Sequence, residues 1–457
     1  MIGGFVLLSA ALAGVFPNDN GSLLSRADEA YWKEQARLIV ASAALAAGGA
    51  SGSYRNTTPY DLRVPGGNMG YPAFWVRDAA MMLGGDFVPA REIEGWIRLI
   101  AATVPGPADW TVRPGVIVPA YSIADHINFD GKPVFYPGIY DSGAKQGGPP
   151  WGKYPPLDDA YYFIGMVYDH WRATGSLDLF RSAVKTAFGE ERLDDLCRKV
   201  YAVPSFDPAT GLIVAGDVET ENAKDWGFCD AESKSGKLLF PSALKFVAAE
   251  RLGEMFAASG RPDRARVFRD EAVRLRSEVT TAFFRPSADG AEGWLRSATG
   301  VGDQADVWGT AYAVAVGAVD ERGAGRAALA LRRAYAEKTA VREGCVRQIL
   351  TTDTAYGGGW QISIVKPGEY QNGGYWGTPA GWVIAAIARA DRPAAARMAA
   401  DFVGFLKSRR RPDGLPQAWE WFNPDTNQSN NPLYVATVAL PYLSLLRAGL
   451  LGGASPR

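Results

Sequence analysis

The sequence predicts an all-α fold, an (α/α)6 toroid in which six helical hairpins form an inner ring and an outer ring of helices. Three observations predict it. Helical patterns of apolar residues recur along nearly the whole 457-residue chain. Wholly apolar helices alternate with amphipathic ones, and short turns within helix pairs alternate with long loops between pairs. We expect these loops to gather on one face, to carry short strands and to build a site there.

The first helix is predicted over residues 26–48, with Ser25 as its N-cap and Gly48-Gly49 as its stop signal. Strand-like runs are short, and two of them lie at 211–215 and 362–365. The other predicted helices span residues 77–84, 91–104, 158–174, 176–199, 238–259, 262–283, 305–318, 321–337, 378–390, 393–410 and 431–449.

The helix pairs show a consistent contrast in polarity. Residues 378–390, TPAGWVIAAIARA, are almost wholly apolar, whereas residues 393–410, PAAARMAADFVGFLKSRR, are amphipathic. A helix that is apolar on every side must be buried, and an amphipathic helix lies outside it. The sequence therefore predicts inner helices backed by outer helices, within a single domain over residues 26–450.

Composition excludes several classes of function. The 48 basic and 49 acidic residues give a net charge of -1, so neither nucleic acid nor an anionic membrane is expected as a partner. The chain has only two histidines, His126 and His170, which are few for a Ser-His-Asp triad or a multi-histidine zinc site. Three distant cysteines do not make a disulfide framework. We expect no metal and no cofactor.

The N-terminal stretch MIGGFVLLSAALAGVFP is apolar and too short to span a bilayer. It resembles the apolar region of a secretory signal, although it lacks a positively charged start. Residues 1–25 are therefore a signal-like segment or a buried N-terminal segment. The protein would be periplasmic or secreted in the first case and cytoplasmic in the second.

The stretch QAWEWFNPDT, residues 417–426, places Glu420 between two tryptophans, of which Trp419 is the first. Aromatic rings around a lone carboxylate offer a stacking surface for a sugar and alter the environment of that carboxylate. The alternative is a loop carboxylate paired with an arginine from residues 409–411.

A second acidic and aromatic stretch, GDVETENAKDWGFCD, occupies residues 216–230. Glycosidic bond cleavage needs two separated carboxyl groups, and this loop offers candidates for the second one. A solvated acidic loop and a calcium site are the alternatives. Its acidic residues are Asp217, Glu219, Glu221, Asp225 and Asp230, with Trp226 and Phe228 among them.

Two further clusters stand at predicted helix starts. In YPAFWVRDAAMM, Arg77 and Asp78 follow Trp75, and in PPLDDAYYFIG two acids, Asp158 and Asp159, precede two tyrosines. An acid at a helix start is often only a cap. The alternative is that these charged groups bind sugar hydroxyls, since charge-assisted hydrogen bonds are strong and directional.

The stretch QNGGYWGTPAGW, residues 371–382, precedes an inner helix. Its glycine pair permits turns that expose Tyr375 and Trp376 as a sugar platform. Alternatively, both aromatic residues belong to the core.

In this order, the clusters resemble those of the six-hairpin (α/α)6-barrel glycosidases, which include glucoamylases, trehalases and processing α-glucosidases. WVRDAA at 75–80 resembles the element by which glucoamylases hold the terminal sugar, and NGGYWGTPAGW at 372–382 is similar to a segment of the trehalase and processing-glucosidase branches. EWFNPDT at 420–426 is similar to the element that carries the catalytic base.

The resemblance implies that Glu420 is the general base and that the general acid lies within residues 217–225. Glu219 matches the spacing of the glucoamylase branch, Glu221 matches that of the trehalase branch, and Asp225 is a third candidate. The implied function is an inverting, exo-acting glycoside hydrolase for an α-linked carbohydrate, with Trp376 and Trp419 lining the pocket.

Alternatives are a glycoside phosphorylase on the same barrel, a carbohydrate-binding relative without catalysis and a polysaccharide lyase. The sugar remains open among glucose, mannose, rhamnose and uronic acids, and so does the oligomeric state.

Overall fold

Helices dominate the chain, and every strand is short. The structure is a computed structural model that describes residues 21–67, 69–143, 145–148, 152–216 and 229–452. The predicted helical fold with short strands is confirmed. The described helices are α1 (Arg26–Ser42), α2 (Val76–Met81), α3 (Ala90–Thr103), α4 (Asp159–Thr174), α5 (Asp178–Arg181), α6 (Leu193–Tyr201), α7 (Leu239–Ala258), α8 (Pro262–Phe283), α9 (Val307–Ala315), α10 (Glu321–Ala336), α11 (Ala380–Ala388), α12 (Arg392–Ser408) and α13 (Val435–Arg447).

The strands form small antiparallel pairs, apart from one three-stranded sheet in the order β5-β8-β9. They lie in the segments between helices, as predicted. The strands are β1 (Ala44–Leu45), β2 (Ala50–Ser51), β3 (Tyr54–Arg55), β4 (Leu62–Arg63), β5 (Phe74–Trp75), β6 (Trp110–Arg113), β7 (Val116–Val118), β8 (His126–Ile127), β9 (Pro133–Val134), β10 (Ala183–Thr186), β11 (Gly189–Arg192), β12 (Val214–Ala215), β13 (Gly236–Lys237), β14 (Phe284–Pro286), β15 (Gly293–Leu295), β16 (Val341–Arg342), β17 (Cys345–Val346), β18 (Trp421–Asn423) and β19 (Gln428–Asn430).

Six of the helices contact one another in a cyclic order. Helix α2 contacts α4, α4 contacts α7, α7 contacts α9, α9 contacts α11, α11 contacts α13, and α13 contacts α2 again. The helices α1, α3, α6, α8, α10 and α12 pack against members of this set.

Polarity follows this arrangement. Every residue of α11 is buried, as the apolar character of residues 378–390 predicts. Its partner α12 buries one face, which includes Met398 and Phe402, and leaves polar side chains outside. The inner helices form the centre of the core. Burial of their apolar surface contributes about 25 cal/mol per Å² to folding.

Two helices differ from their predictions: one ends earlier than predicted, and the other is divided by a hairpin. Ser25 caps α1 as predicted, by accepting a hydrogen bond from the amide of Asp28. However, α1 ends at Ser42 and not at Gly48, because β1 pairs with the distant strand β4. The helix predicted over 176–199 is wrong in its middle, since the hairpin β10-β11 separates the short α5 from α6.

The strand predicted at 211–215 is present as β12, Val214–Ala215. The one predicted at 362–365 is absent from the described structure, which forms only an isolated bridge between Ser363 and Glu232. The signal-like residues 1–20 lie outside the described residues. None of the helices that the structure describes is both long and apolar enough to cross a bilayer.

Candidate functional site

The starts of three inner helices meet at one end of the ring. Arg77, in the first turn of α2, donates hydrogen bonds to both carboxylate oxygens of Asp158, over 2.7 and 3.1 Å. The hydroxyl of Tyr434, directly before α13, donates to Oδ1 of Asp78 over 2.6 Å. These two contacts tie α2 to α4 and to α13. The N-terminal ends of helices also favour negative charge, which suits the carboxylates gathered here.

Neither Asp78 nor Asp158 acts as a side-chain cap. The Asp158 residue occupies the N-cap position of α4 but makes no capping bond, and its carboxylate turns to Arg77 instead. Burial raises the pKa of Asp78 to about 6, although the Tyr434 hydrogen bond and Arg77 oppose this rise. Burial likewise raises the pKa of Asp158 to about 6 against the effect of Arg77.

Asp159 has no such partner. It is 1% exposed, and neither of its carboxylate oxygens accepts a hydrogen bond from the described protein. Burial raises its pKa well above the usual range, and the neighbouring carboxyls of Asp158 and Asp125 raise it further. A buried carboxyl without a partner costs stability, so its presence points to a role in binding.

Glu420 lies in the segment between α12 and α13, directly before β18. It is 2% exposed, and the hydroxyl of Tyr71 donates to both of its carboxylate oxygens over 3.1 and 2.9 Å. Burial raises the pKa of Glu420 well above its usual range, and the carboxyls of Asp230 and Asp78 add repulsion. The Tyr71 hydrogen bond opposes this rise.

The alternative for Glu420, a pair with an arginine from 409–411, does not match the contacts. Arg409 pairs with Glu343, and Arg411 pairs with Asp413. Arg410 donates to the hydroxyl of Tyr31 on α1.

Asp230 is the described acidic residue of the 216–230 stretch, and its charge acts on Glu420. Its Oδ2 accepts a hydrogen bond from the Tyr370 hydroxyl over 3.3 Å, while its Oδ1 is buried without a partner among the described residues. Burial raises the pKa of Asp230, Arg77 lowers it, and Asp125 raises it. Sequence reasoning named Asp230 as a loop acid but did not single it out.

The phenols that hold the two acids share an unusual backbone conformation. Tyr71 has φ +56° and Tyr370 has φ +45°, in the left-handed region that non-glycine residues rarely adopt. Such strain of order 1–3 kcal/mol per residue is typical of functional sites. The predicted acids Glu219, Glu221 and Asp225, together with Trp226, lie outside the described residues.

A group that sequence reasoning missed surrounds Trp75. Strand β5 pairs with β8, which sets Trp75 opposite His126, and their rings stack with centroids 4.2 Å apart. His126 Nδ1 lies 2.7 Å from Oδ2 of Asp125. Tyr140 contacts both rings, at 6.1 Å from Trp75 and 5.3 Å from His126. The scarcity of histidine in this chain was the one available signal.

Trp376 supports the site from behind. Its ring contacts those of Tyr370 and Tyr434 at 5.1 and 6.3 Å, and its Nε1 donates to the Tyr370 carbonyl. It is 1% exposed, so it positions the two phenols that bind Asp230 and Asp78.

Tyr375 and Trp419 have different surroundings. The ring of Tyr375 contacts Phe422 at 6.1 Å, and that of Trp419 contacts Phe422 at 5.8 Å and Phe405 at 6.4 Å. Both contribute to an aromatic cluster beneath the Glu420 segment. The structure thus brings Trp75, Arg77, Asp78, Asp158, Asp159, Trp376 and Glu420 together at one end of the ring.

Carbohydrate chemistry suits these groups, because carboxylates and aromatic rings bind hydroxyls and sugar faces. Among the described residues, no group of three or more His, Cys, Asp or Glu side chains is arranged to hold a metal ion.

No family model and no curated protein matches the chain. Solved structures match nearly all of it. A glycosidase variant in complex with glucose is 16% identical, with a TM-score of 0.51, over 94% of this chain and 100% of that one. A metal-independent α-mannosidase from Streptococcus pneumoniae, complexed with α-1,6-mannobiose, is 12% identical, with a TM-score of 0.52, over 92% and 94%.

The glucoamylase of Hormoconis resinae is 11% identical, with a TM-score of 0.50, over 92% of this chain and 74% of that one. At such identities the likeness concerns the fold. The resemblance of this chain to the six-hairpin glycosidases is therefore confirmed at the level of architecture.

Proposed function

We propose that this protein is a glycoside hydrolase, inverting and exo-acting, for an α-linked glycoside or oligosaccharide, on a complete (α/α)6 toroid. The observation that carries the proposal is the pair of carboxyl groups of Glu420 and Asp230. Each accepts a hydrogen bond from a tyrosine hydroxyl, and the charge of each raises the pKa of Tyr71. Two carboxyls of different surroundings are the requirement for glycoside hydrolysis.

In this proposal Glu420 is the general base. The Tyr71 hydroxyl, which donates to both oxygens of Glu420, lowers the pKa of Glu420 and so favours the ionised form that a general base needs, against the burial that raises this pKa. Glu420 would take a proton from the water that attacks the anomeric carbon. Inversion needs space for that water, which sets the two carboxyls of such enzymes about 6.5–9.5 Å apart.

Asp230 is the general acid that we favour. Repulsion from Asp230 raises the pKa of Glu420, which disfavours a doubly ionised pair, and in this proposal Asp230 carries the proton. Oδ1 of Asp230 has no partner among the described residues, and in this proposal it is the oxygen from which that proton passes to the glycosidic oxygen. Glu219 and Glu221 are the alternative acids, as the sequence resemblance implies.

The remaining groups would hold the terminal sugar. Asp78 and Asp158, fixed by Tyr434 and Arg77, offer acceptors to its hydroxyls, and Trp75 offers an aromatic wall. We assign the same substrate-binding role to Asp159. Trp376 would contribute indirectly, because its ring contacts the phenols of Tyr370 and Tyr434.

The test is turnover of a panel of aryl α- and β-glycosides by the wild type and by Glu420→Gln, with the anomer of the product read by NMR. We expect an inverted product and a rate loss of about 10² to 10⁴ in the variant. Glu34→Gln, at a half-exposed surface glutamate, is the matched control and should retain full activity.

Other outcomes would point elsewhere. Retained configuration would contradict inversion, and full activity of Glu420→Gln would remove Glu420 from the mechanism. Turnover that requires phosphate would indicate a phosphorylase. Sugar binding without turnover, unchanged in Glu420→Gln, would indicate a carbohydrate-binding protein.

A further inference from the structure

Two stacked rings in the candidate site each carry a buried nitrogen without a partner. His126 is 0% exposed and packs on Trp75, with the ring planes inclined by 23°. His126 Nε2 and Trp75 Nε1 form no hydrogen bond with the described residues. Because a ring nitrogen donates or accepts in the plane of its ring, two stacked rings cannot serve each other. Buried polar atoms are ordinarily satisfied, so a further polar group is expected here.

Asp125 fixes the role of His126 Nε2. Nδ1 of the ring lies 2.7 Å from Oδ2 of Asp125, and an ionised carboxylate can only accept a hydrogen bond. The ring hydrogen of neutral His126 therefore belongs on Nδ1, which leaves Nε2 as an acceptor. The backbone holds the ring as well, because His126 of β8 pairs with Trp75 of β5. The group that Nε2 requires is therefore a hydrogen-bond donor.

The Asp125–His126 pair lies among the side chains that would hold the sugar. The charge of Asp125 acts on the acids of the site, and it raises the pKa values of Asp78, Asp158, Asp159 and Asp230. The ring of Tyr140 contacts those of His126 and Trp75 and is 42% exposed. The acceptor without a partner is thus one ring away from solvent, where a ligand can reach it.

A hydroxyl of a bound sugar can supply the missing donor, since its O–H rotates to meet Nε2. We propose that His126 determines specificity for one sugar hydroxyl, which donates a hydrogen bond to Nε2, and that Asp125 is the positioning residue that keeps Nε2 an acceptor. Such a site rejects an analogue without that hydroxyl, because the buried acceptor is then left without a partner. The inference rests on the proposed function only in taking the ligand to be a sugar, and it applies to neutral and charged sugars alike.

The test is calorimetric binding at pH 8 to Glu420→Gln protein, which separates binding from turnover. The parent probes are the methyl α-glycosides of glucose, mannose, rhamnose and galacturonic acid, and the tightest of them is compared with its monodeoxy and monofluoro analogues. At one hydroxyl position we expect both replacements to weaken binding about 30-fold, because neither hydrogen nor fluorine on carbon donates to Nε2. If fluorine restores binding wherever deoxygenation weakens it, the hydroxyls act only as acceptors and the inference is wrong.

Two variants that both lack Nε2 then test the residue. His126→Asn keeps an amide N–H for Asp125 but loses the ring, whereas His126→Phe keeps a ring on Trp75 but leaves Asp125 without its partner. Each should weaken binding of the parent sugar about 30-fold and abolish the further loss on deoxygenation at that one position. His170→Asn, at the other histidine, which is buried near the far end of α4, is the matched control. Thermal unfolding identifies variants that fail to fold.

The coupling between variant and analogue is the decisive value. A purely structural role of His126, or a water molecule that stays on Nε2, would change the affinities for the parent sugar and its analogues alike. Unchanged sensitivity to deoxygenation in the folded variants would overturn the inference, as would the absence of binding by every parent sugar. Coupling without hydrolysis of any glycoside would support it and refute the proposed catalytic function. Hydrolysis without coupling would overturn it and leave that function in place.

Discussion

The two ends of the inner helices carry opposite charges with different partners. At the loop end, α2 and α4 begin with the acids Asp78 and Asp159. At the far end, Arg389 caps α11 and Arg447 lies in the last turn of α13. Both distributions suit the helix dipole, which favours anions at N-termini and cations at C-termini. The dipole therefore does not explain how the two ends differ.

The difference lies in pairing. At the far end, Arg389 binds Glu321 over 2.6 Å, and the Tyr168 hydroxyl donates to Glu254 over 2.8 Å. At the loop end, the two oxygens of Asp159 accept no hydrogen bond from the part of the chain that the structure describes. Because a buried carboxyl without a partner costs stability, we infer that the unpaired carboxyl of Asp159, for which the far end has no described counterpart in this comparison, marks the end of the ring that carries the function.

The largest effect is expected from Asp230→Asn. A general acid matters when the leaving group needs a proton, so we expect a loss of about 10³ in kcat on an alkyl glycoside. The loss on a glycosyl fluoride of the same sugar should be about tenfold or less, because fluoride leaves with less protonation. Glu420→Gln, which lacks the base, should lose activity on both substrates.

Glu219→Gln and Glu221→Gln are the controls for this assignment and should keep near wild-type kcat on the alkyl glycoside. If one of them shows the leaving-group dependence and Asp230→Asn does not, the acid lies in the 217–225 segment.

The next largest effect is a difference in stability between substitutions at the two ends of the ring. Arg77→Met leaves the carboxyl of Asp158, which is 0% exposed, buried without its ion pair, and we expect a loss of about 3–5 kcal/mol in the free energy of unfolding. Arg389→Met removes a pair whose acid, Glu321, is 72% exposed, and should cost at most about 1 kcal/mol. Urea denaturation measures both, and equal losses would contradict the distinction.

Much of this architecture follows from local pattern. The apolar character of 378–390 predicted the buried α11 because an all-apolar helix has no solvent face. The error in residues 26–48 has a tertiary cause, since β4, which ends that helix early by pairing with β1, is distant in sequence. Local propensity contains no information on such pairing.

The site was predictable in part for the same reason. Arg77, Asp78 and Glu420 stand beside aromatic residues in short motifs, which makes them visible in sequence. His126 joins the site through pairing of β8 with β5, about fifty residues earlier, and Asp230 through Tyr370. In sequence, Asp230 is one acid among several in its loop, and only tertiary contacts distinguish it.

A smaller effect should follow from Tyr434→Phe. Its hydroxyl lowers the pKa of Asp78, which is about 6 in the native protein, so the variant should raise that pKa further. If ionised Asp78 accepts sugar hydroxyls, affinity falls as the pH decreases through about 6, and the fall should begin at a higher pH in the variant. We expect about tenfold weaker binding at pH 6.

The measurement is the Kd of the preferred sugar between pH 4.5 and 8. Tyr335→Phe is the matched control, because it removes a similar hydrogen bond to Asp401 between outer helices. An identical pH profile for wild type and Tyr434→Phe would show that Asp78 does not bind the sugar in its ionised form.

The smallest effect concerns Glu250, an exception at the far end. Burial raises its pKa to about 7 although Arg276 lies 3.3 Å away and opposes the rise. Because the folded protein binds this proton more tightly than the unfolded chain does, stability decreases as the pH rises from about 4.5 to 7. Glu250→Gln lacks this pH-dependent contribution to stability. Its Tm relative to wild type should therefore increase by a few degrees between pH 5 and 8.

Glu250 thereby tests whether a raised pKa alone marks a functional carboxyl. Unlike Asp159, Glu250 has a basic partner and lies away from the loop end, so kcat/KM of Glu250→Gln should stay within about twofold of wild type. A large loss of activity in a folded variant would connect the far end to catalysis and remove pairing as the criterion. A pH-dependent Tm with unchanged activity would establish that an unpartnered carboxyl, rather than a perturbed one, identifies the site.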